Sequence, residues 1–359
     1  MKRILIANIF GIGDVLFTTP LIANLKRADE GAEVGFLCNA RAKAVLENNP
    51  DIDEIFVYEK DEFVKLWKES KIKCLKALNN LFSAIRKMKY DTVFDFTLSR
   101  EFGLAFLLAG IPKRIGLNYK NRGFFLTRKL PLTGFANRHV IEHYLDLLKF
   151  AGVNSLVREM RLDPSGDALL WAADYLRDKG MNERPRIAVI PGGGASWGEQ
   201  AARKRWDASG FAGCADLLAI EGFDVLILGD SSEKELCAEV AGKMNEGSKV
   251  VENGLELDKY IALLARCDLV LCNDGGPLHI AVALGRKTVS IFGPVDDRVY
   301  GPYPLSWKHK VITAEETPCR PCYDRFKLPE CENENRCLTD IDPGRVADAC
   351  LGLLSKKEK

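Results

Sequence analysis

Leu269-Val270-Leu271-Cys272-Asn273-Asp274-Gly275-Gly276-Pro277-Leu278-His279-Ile280-Ala281-Val282-Ala283-Leu284 is the stretch that decides the fold of this chain. The apolar run at its start reads as a strand of a buried parallel sheet. Asp, two Gly and Pro then mark a tight turn. His279 falls on the first turn of the helix that follows. A strand's carboxyl end facing a helix N-terminus is where α/β proteins bind anions. Asp274 can accept hydrogen bonds from hydroxyls, and His279 can donate to a phosphate oxygen. Glycines let backbone N–H groups come close to a phosphate. The same residues also suit an ordinary strand-to-helix turn closed by a capping Asp.

Working outward, β-rich apolar runs alternate with helical patterns along the whole chain. Strands are expected at residues 4–8, 33–37, 54–57, 92–96 and 114–116, with helices such as 21–27 and 75–89 between them. After Asp163-Pro164-Ser165-Gly166 a helix is expected at 168–179, followed by a polar turn. The alternation then restarts, with strands at 187–190, 224–228, 249–251, 269–272 and 288–291. Strands separated by helices predict parallel sheets. The restart predicts two similar α/β halves, residues 1–165 and 166–342, with a last helix from 343 to about 354. Each half opens alike, on a strand that runs into Gly11-Ile12-Gly13-Asp14 or into Pro191-Gly192-Gly193-Gly194.

At 359 residues, 47% hydrophobic and 28% charged, the composition is that of an ordinary globular protein of about two domains. No apolar run approaches the roughly 20 residues that span a bilayer. Eleven cysteines without a signal-peptide pattern imply reduced thiols or a metal site, not a disulfide framework. The net charge of +1 conceals an asymmetry: residues 1–165 hold 26 Lys and Arg against 19 Asp and Glu. Between Glu101 and Glu142 there is no acid, while Lys113, Arg114, Lys120, Arg122, Arg128, Lys129 and Arg138 all fall there. Such a block suits an anionic partner, although a solvated face would carry lysines too. No nucleic-acid recognition module accompanies it.

Three turns carry candidate chemistry. Gly11-Ile12-Gly13-Asp14 is followed by Leu16 where a dinucleotide fingerprint needs its third glycine. Asp14 reads equally as a general base at a strand mouth and as the N-cap of the next helix. Pro191-Gly192-Gly193-Gly194-Ala195-Ser196 offers amides and a hydroxyl to a phosphate, with Lys204 downstream to neutralise a diphosphate. Gly229-Asp230-Ser231-Ser232-Glu233 ends another strand, and Glu233 reads as a ligand contact or a capping acid. Cys319, Cys322, Cys331 and Cys337 have the spacing of four thiolates that can hold a structural zinc or an iron–sulfur cluster. The Asp-Ile-Asp triplets at 51–53 and 340–342 read as a turn and a helix approach, not as metal motifs.

Together these motifs resemble the heptosyltransferases of bacterial lipopolysaccharide core synthesis, glycosyltransferase family 9. Gly11 to Pro20 resembles the family's opening motif. Residues 89–95 and Pro112-Lys113-Arg114-Ile115-Gly116-Leu117 resemble its middle motifs. Pro191-Gly192 with Lys204-Arg205-Trp206, and Asn273 to His279 with Phe292-Gly293-Pro294, resemble its donor-site motifs. The resemblance implies a GT-B fold, two Rossmann-like domains with parallel sheets facing a central cleft, and a last helix returning to the N-terminal domain. It implies inverting, metal-independent heptosyl transfer from ADP-heptose to the lipopolysaccharide inner core, in the cytoplasm at the inner membrane surface. Asp14 matches the base. Lys204, Asp274, Gly275, Gly276 and His279 match the donor site, and Gly192, Gly193, Ser196 and Glu233 are expected beside them from the turns that carry them. Lys120, Arg122 and Arg128 suit the acceptor. Gly275 stands where some members have Thr, which removes a hydroxyl from that site. No cofactor is required by such a reaction. The rivals are another GT-B nucleotide-sugar transferase or epimerase, a nicotinamide oxidoreductase, and a metal or redox sensor built on the four cysteines.

Overall fold

The computed structural model describes residues 1–193, 195–247, 249–314 and 316–356, without the side chains of Ala195, Ser196 and Glu199. It divides into two compact units, Met1–Arg161 and Leu162–Lys359. The division falls four residues before the boundary expected from sequence.

The first unit is a six-stranded sheet ordered β3-β2-β1-β4-β5-β6, from β1 (Arg3–Ala7), β2 (Glu33–Cys38), β3 (Glu54–Val57), β4 (Thr92–Asp95), β5 (Lys113–Tyr119) and β6 (Arg128–Leu132). All its pairings are parallel. On β1, Ile4, Leu5, Ile6 and Ala7 are all buried, as expected of a strand covered on both faces. Leu5, Ala7, Val93, Phe102 and Phe106 belong to one apolar cluster with Ile85 and Tyr90.

The second unit repeats the plan, with order β12-β11-β10-β7-β8-β9. Its strands are β7 (Arg186–Ile190), β8 (Asp224–Gly229), β9 (Lys249–Asn253), β10 (Leu269–Asn273), β11 (Lys287–Ile291) and β12 (His309–Ile312), again all parallel. Two strands escape the sequence pattern, β6 and β12, and both lie at sheet edges. Edge strands are short and polar, and they tolerate proline, so their pattern is weak. Pro131 sits inside β6.

The last helix, Pro343–Leu354, packs within the second unit. Its buried residues Val346, Ala347, Cys350 and Leu353 join Phe211, Ala215 and Leu218 in the second unit's own core. This face is covered by the helix Ala208–Ile220 and its neighbours. Among the described residues no helix is long and apolar enough to cross a membrane.

Candidate functional site

In the second unit β10 lies between β7 and β11, so the turns leaving β7 and β10 are neighbours at one sheet end. Asn273 staples them. Its amide donates to the carbonyls of Pro191 at 2.8 Å and Gly192 at 3.0 Å, and its Oδ1 accepts from Trp206 N–H at 2.9 Å. The next residue, Asp274, is buried and pairs with buried Lys204, Nζ to Oδ2 2.5 Å. Lys204 Nζ also lies 4.3 Å from the centre of the Trp197 ring, which packs on Tyr323 at 4.7 Å. A charged pair so deeply placed is costly unless something else needs its charges there.

The helix Gly276–Ala283 starts immediately beyond, with His279 buried in its first turn. Its N-cap, Gly275, has φ 157° and ψ −171°, a combination reached essentially only by glycine. First-turn amides of a helix have no partner within it and point outward, and the helix dipole adds positive potential.

Glu233 is used inward. Its carboxylate accepts from Gly193 N–H at 2.7 Å and Asp230 N–H at 3.1 Å, and pairs with Arg205 at 3.2 Å. Arg205 in turn donates to the Gly193 carbonyl at 2.9 Å. A Cβ on Gly192 would come within 2.1 Å of the Glu233 carboxyl carbon, so glycine is required for this approach. Glu233 holds the glycine loop in shape, and the Gly193 amide is already committed to it. The Ser196 side chain lies outside the described residues. Sequence patterns gave no role to Asn273, Arg205 or Trp197.

In the first unit Asp14 follows β1, in the first turn of the helix Ile12–Leu16. The N-cap of that helix is Gly11, with no side-chain cap bond, so Asp14 is not the capping residue. The Asn8 amide donates to the Asp14 backbone carbonyl at 2.8 Å and fixes the turn. At the end of neighbouring β4, whose Asp95 registers with Ala7, a second carboxyl is buried.

These two units have known counterparts. The sequence model of glycosyltransferase family 9 (heptosyltransferase) matches residues 78–331. The chain belongs to glycosyltransferase family 9. Lipopolysaccharide heptosyltransferase 2 of Escherichia coli strain K12 is 24% identical over 371 residues, covering 99% of each chain. Among solved structures, a glycosyl transferase family 9 protein from Veillonella parvula superposes with a TM-score of 0.82 at 23% identity, covering 98% of this chain and 97% of that one. The E. coli ADP-heptose lps heptosyltransferase II gives 0.75 at 24%, covering 99% and 98%. The fold is GT-B, and the chain is a glycosyltransferase.

The family 9 chain places its basic interval less uniformly than its sequence implies. Lys120 Nζ and Arg122 Cζ lie 5.0 and 5.8 Å from the Tyr119 ring centre, so these two cations come together after β5. Arg128 does not join them. It pairs in register with Ile115, whereas Tyr119 pairs with Leu132, so Arg128 belongs to the opposite end of the strands. Arg114 is buried and donates to the carbonyls of Ile111, Pro112 and Phe125, a structural task. Arg138 pairs with Asp146.

The four cysteines also depart from expectation. Among the described residues no group of three or more His, Cys, Asp or Glu is arranged to hold a metal ion. Cys337 is turned into the core beside Leu338, while Cys319 and Cys331 are exposed. Burial, with neighbouring thiols adding to it, pushes the Cys337 thiol up to about 11. The Cys331 thiol instead accepts a bond from Asn335 N–H at 3.3 Å.

Asp95 enters the sequence patterns only as the end of a motif, and the structure gives it a distinct character. Burial raises its carboxyl to about 6, against bonds to one oxygen from the Thr97 N–H and hydroxyl that lower it. It lines a small cavity with Leu98, Ser99 and Arg122. Leu98 has φ 55°, a strained conformation for a bulky residue. Because the folded value is raised, the stability Asp95 contributes is full below about pH 4 and is lost as pH rises through about 6. Asp95→Asn keeps an acceptor for Thr97 and removes the buried charge. Its unfolding temperature should exceed the parent's by about 6 °C at pH 8 and match it near pH 4. The reason is that ionising a carboxyl whose titration lies about two pH units above its ordinary range costs about 3 kcal/mol. Thermal unfolding at the two pH values checks this, and an equal difference at both would reject it.

Proposed function

We propose that this chain is an inverting heptosyltransferase that moves heptose from ADP-heptose to the inner core of lipopolysaccharide. The observation carrying the proposal is the buried Lys204–Asp274 pair beside a helix N-terminus. A diphosphate is the anion that such a lysine and first-turn amides suit, and Asp274 can accept from a sugar hydroxyl. The named relatives, which act on lipopolysaccharide or use ADP-heptose, support the same donor.

In this reading Asp14 takes the proton of an acceptor hydroxyl as its oxygen attacks the anomeric carbon. The bond from that carbon to the phosphate oxygen breaks, ADP leaves with the electron pair, and the configuration inverts. General-base help of this kind is worth roughly 10²–10⁴-fold. Lys204, His279 and the amides of Gly275 and Gly276 stabilise the growing charge on ADP, on a floor that the Gly192–Gly193 loop shapes. Glu233 acts by holding that loop. No metal is needed for charge that these groups neutralise. Lys120 and Arg122 meet the anionic acceptor. The protein works in the cytoplasm, peripherally associated with the inner membrane.

A mass-spectrometric transfer assay with ADP-heptose, other nucleotide sugars and truncated cores tests the reading. Heptose should be added from ADP-heptose alone, and efficient transfer from another nucleotide sugar would overturn it. In the same assay Lys120→Gln with Arg122→Gln should raise the acceptor KM several-fold, by an amount that shrinks with salt because exposed charges are screened over about 8–10 Å. Arg128→Gln should change it less. An unchanged KM in the double variant removes these residues from the acceptor site.

A further inference from the structure

The helices Lys60–Glu69 and Lys71–Lys87 form a hairpin on one side of the first unit. The first of them buries none of its residues, and the second buries only Cys74 and Ile85. The hairpin is tied down at its base. Phe63 stacks on Tyr58 at 4.7 Å and Ile85 sits in the core, while the Cys74 thiol donates to the Phe63 carbonyl at 3.5 Å and joins the two helices. Beyond that base its apolar side chains face solvent: Val64 is 45% exposed, Trp67 48%, Ile72 80% and Leu75 56%. Val64 and Trp67 are three residues apart on one helix, and Ile72 and Leu75 three apart on the other, so each pair shares a face.

Lysines are interleaved with these apolar groups. Between Val64 and Lys76 there are Lys65, Lys68, Lys71, Lys73 and Lys76 against the single acid Glu69. All five are exposed, and Lys71 Nζ lies 5.7 Å from the Trp67 ring centre. The mixture discriminates between occupants. Cores of protein interfaces are depleted in lysine, because burying its head is costly. A lipid surface takes both: apolar and aromatic groups enter the headgroup boundary while lysine heads meet anionic headgroups.

We propose that the hairpin of helices Lys60–Glu69 and Lys71–Lys87 docks the protein on an anionic lipid bilayer through Val64, Trp67, Ile72 and Leu75 and the lysines between them. This deepens the membrane part of the proposed function and does not depend on which sugar is transferred. The hairpin residues lie outside the sequence interval that holds Lys120 and Arg122, so variants of the two can be made and tested separately.

The test uses the full chain and two kinds of vesicle, phosphatidylcholine alone and phosphatidylcholine mixed with phosphatidylglycerol. Wild type should sediment with the anionic vesicles, less so at high salt, and only weakly with the neutral ones. The triple variant Lys68→Gln, Lys71→Gln and Lys73→Gln should bind the anionic vesicles roughly 100-fold more weakly. Trp67→Ala with Ile72→Ala should also bind more weakly and should lose a vesicle-dependent blue shift in tryptophan emission. Unfolding temperatures should match wild type, because all five side chains are exposed. Transfer to a delipidated core oligosaccharide should be unchanged in both variants. Wild-type affinity in either variant, or absence of wild-type binding to anionic vesicles, overturns the proposal. A wild-type dimer that both variants dissociate, without vesicle binding, would make the hairpin a protein interface and overturn it equally. Vesicle binding that persists when ADP-heptose proves not to be the donor would reject the proposed reaction and leave the docking surface standing.

Discussion

Asp14→Asn is expected to lower turnover by roughly 10²-fold or more while leaving ADP affinity and unfolding temperature unchanged. The expectation rests on what the substitution does not disturb. Gly11, not Asp14, caps the helix Ile12–Leu16, so no cap is lost. The Asn8 amide bonds the backbone carbonyl at 14, which asparagine keeps. Asparagine has nearly the same shape and cannot accept a proton at neutral pH. A loss confined to turnover is therefore a loss of proton transfer. Steady-state kinetics and calorimetry with ADP on the same preparation decide the matter. Near-normal turnover would remove Asp14 from the base role.

Lys204→Ala should act twice, on stability and on ADP binding. The side chains of Lys204 and Asp274 are 8% and 5% exposed, and truncating one partner leaves the other charge buried alone. Breaking a buried pair in this way costs about 3–5 kcal/mol. Sequence alone predicts weaker ADP binding in a chain that still folds, and the burial of both partners adds a loss of stability. Adding Asp274→Asn removes the orphaned charge, so the double variant should recover most of the lost unfolding temperature. It should not recover ADP binding, which ought to stay about 30-fold or more weaker than wild type, because the diphosphate has lost its counter-charge. Denaturation and calorimetry on the three proteins separate the two effects. Wild-type ADP affinity in the double variant would show that the pair is only structural.

What the sequence determined by itself is local. The parallel α/β plan, its repetition and the turn after Leu269-Val270-Leu271 were legible because strand period, helix period and Gly/Pro punctuation act over a few residues. The same holds for Gly11-Ile12-Gly13-Asp14 and for the glycines at 192 and 193. The tertiary structure decided which of these groups face each other. Lys204 and Asp274 are seventy residues apart in sequence and meet only because β7 and β10 pair side by side. Glu233 read from sequence as a ligand contact or a capping acid; it does cap its own turn at Asp230, and strand order also puts it against Gly193 and Arg205. Arg128 stands with Lys120 and Arg122 in sequence, yet the parallel register of β5 and β6 sends it to the other end of the sheet. Cys337 shares a spacing with three other thiols, but the short helix Arg336–Thr339 turns it into the core. Pairing register and burial depend on contacts between distant segments, and no local pattern encodes them.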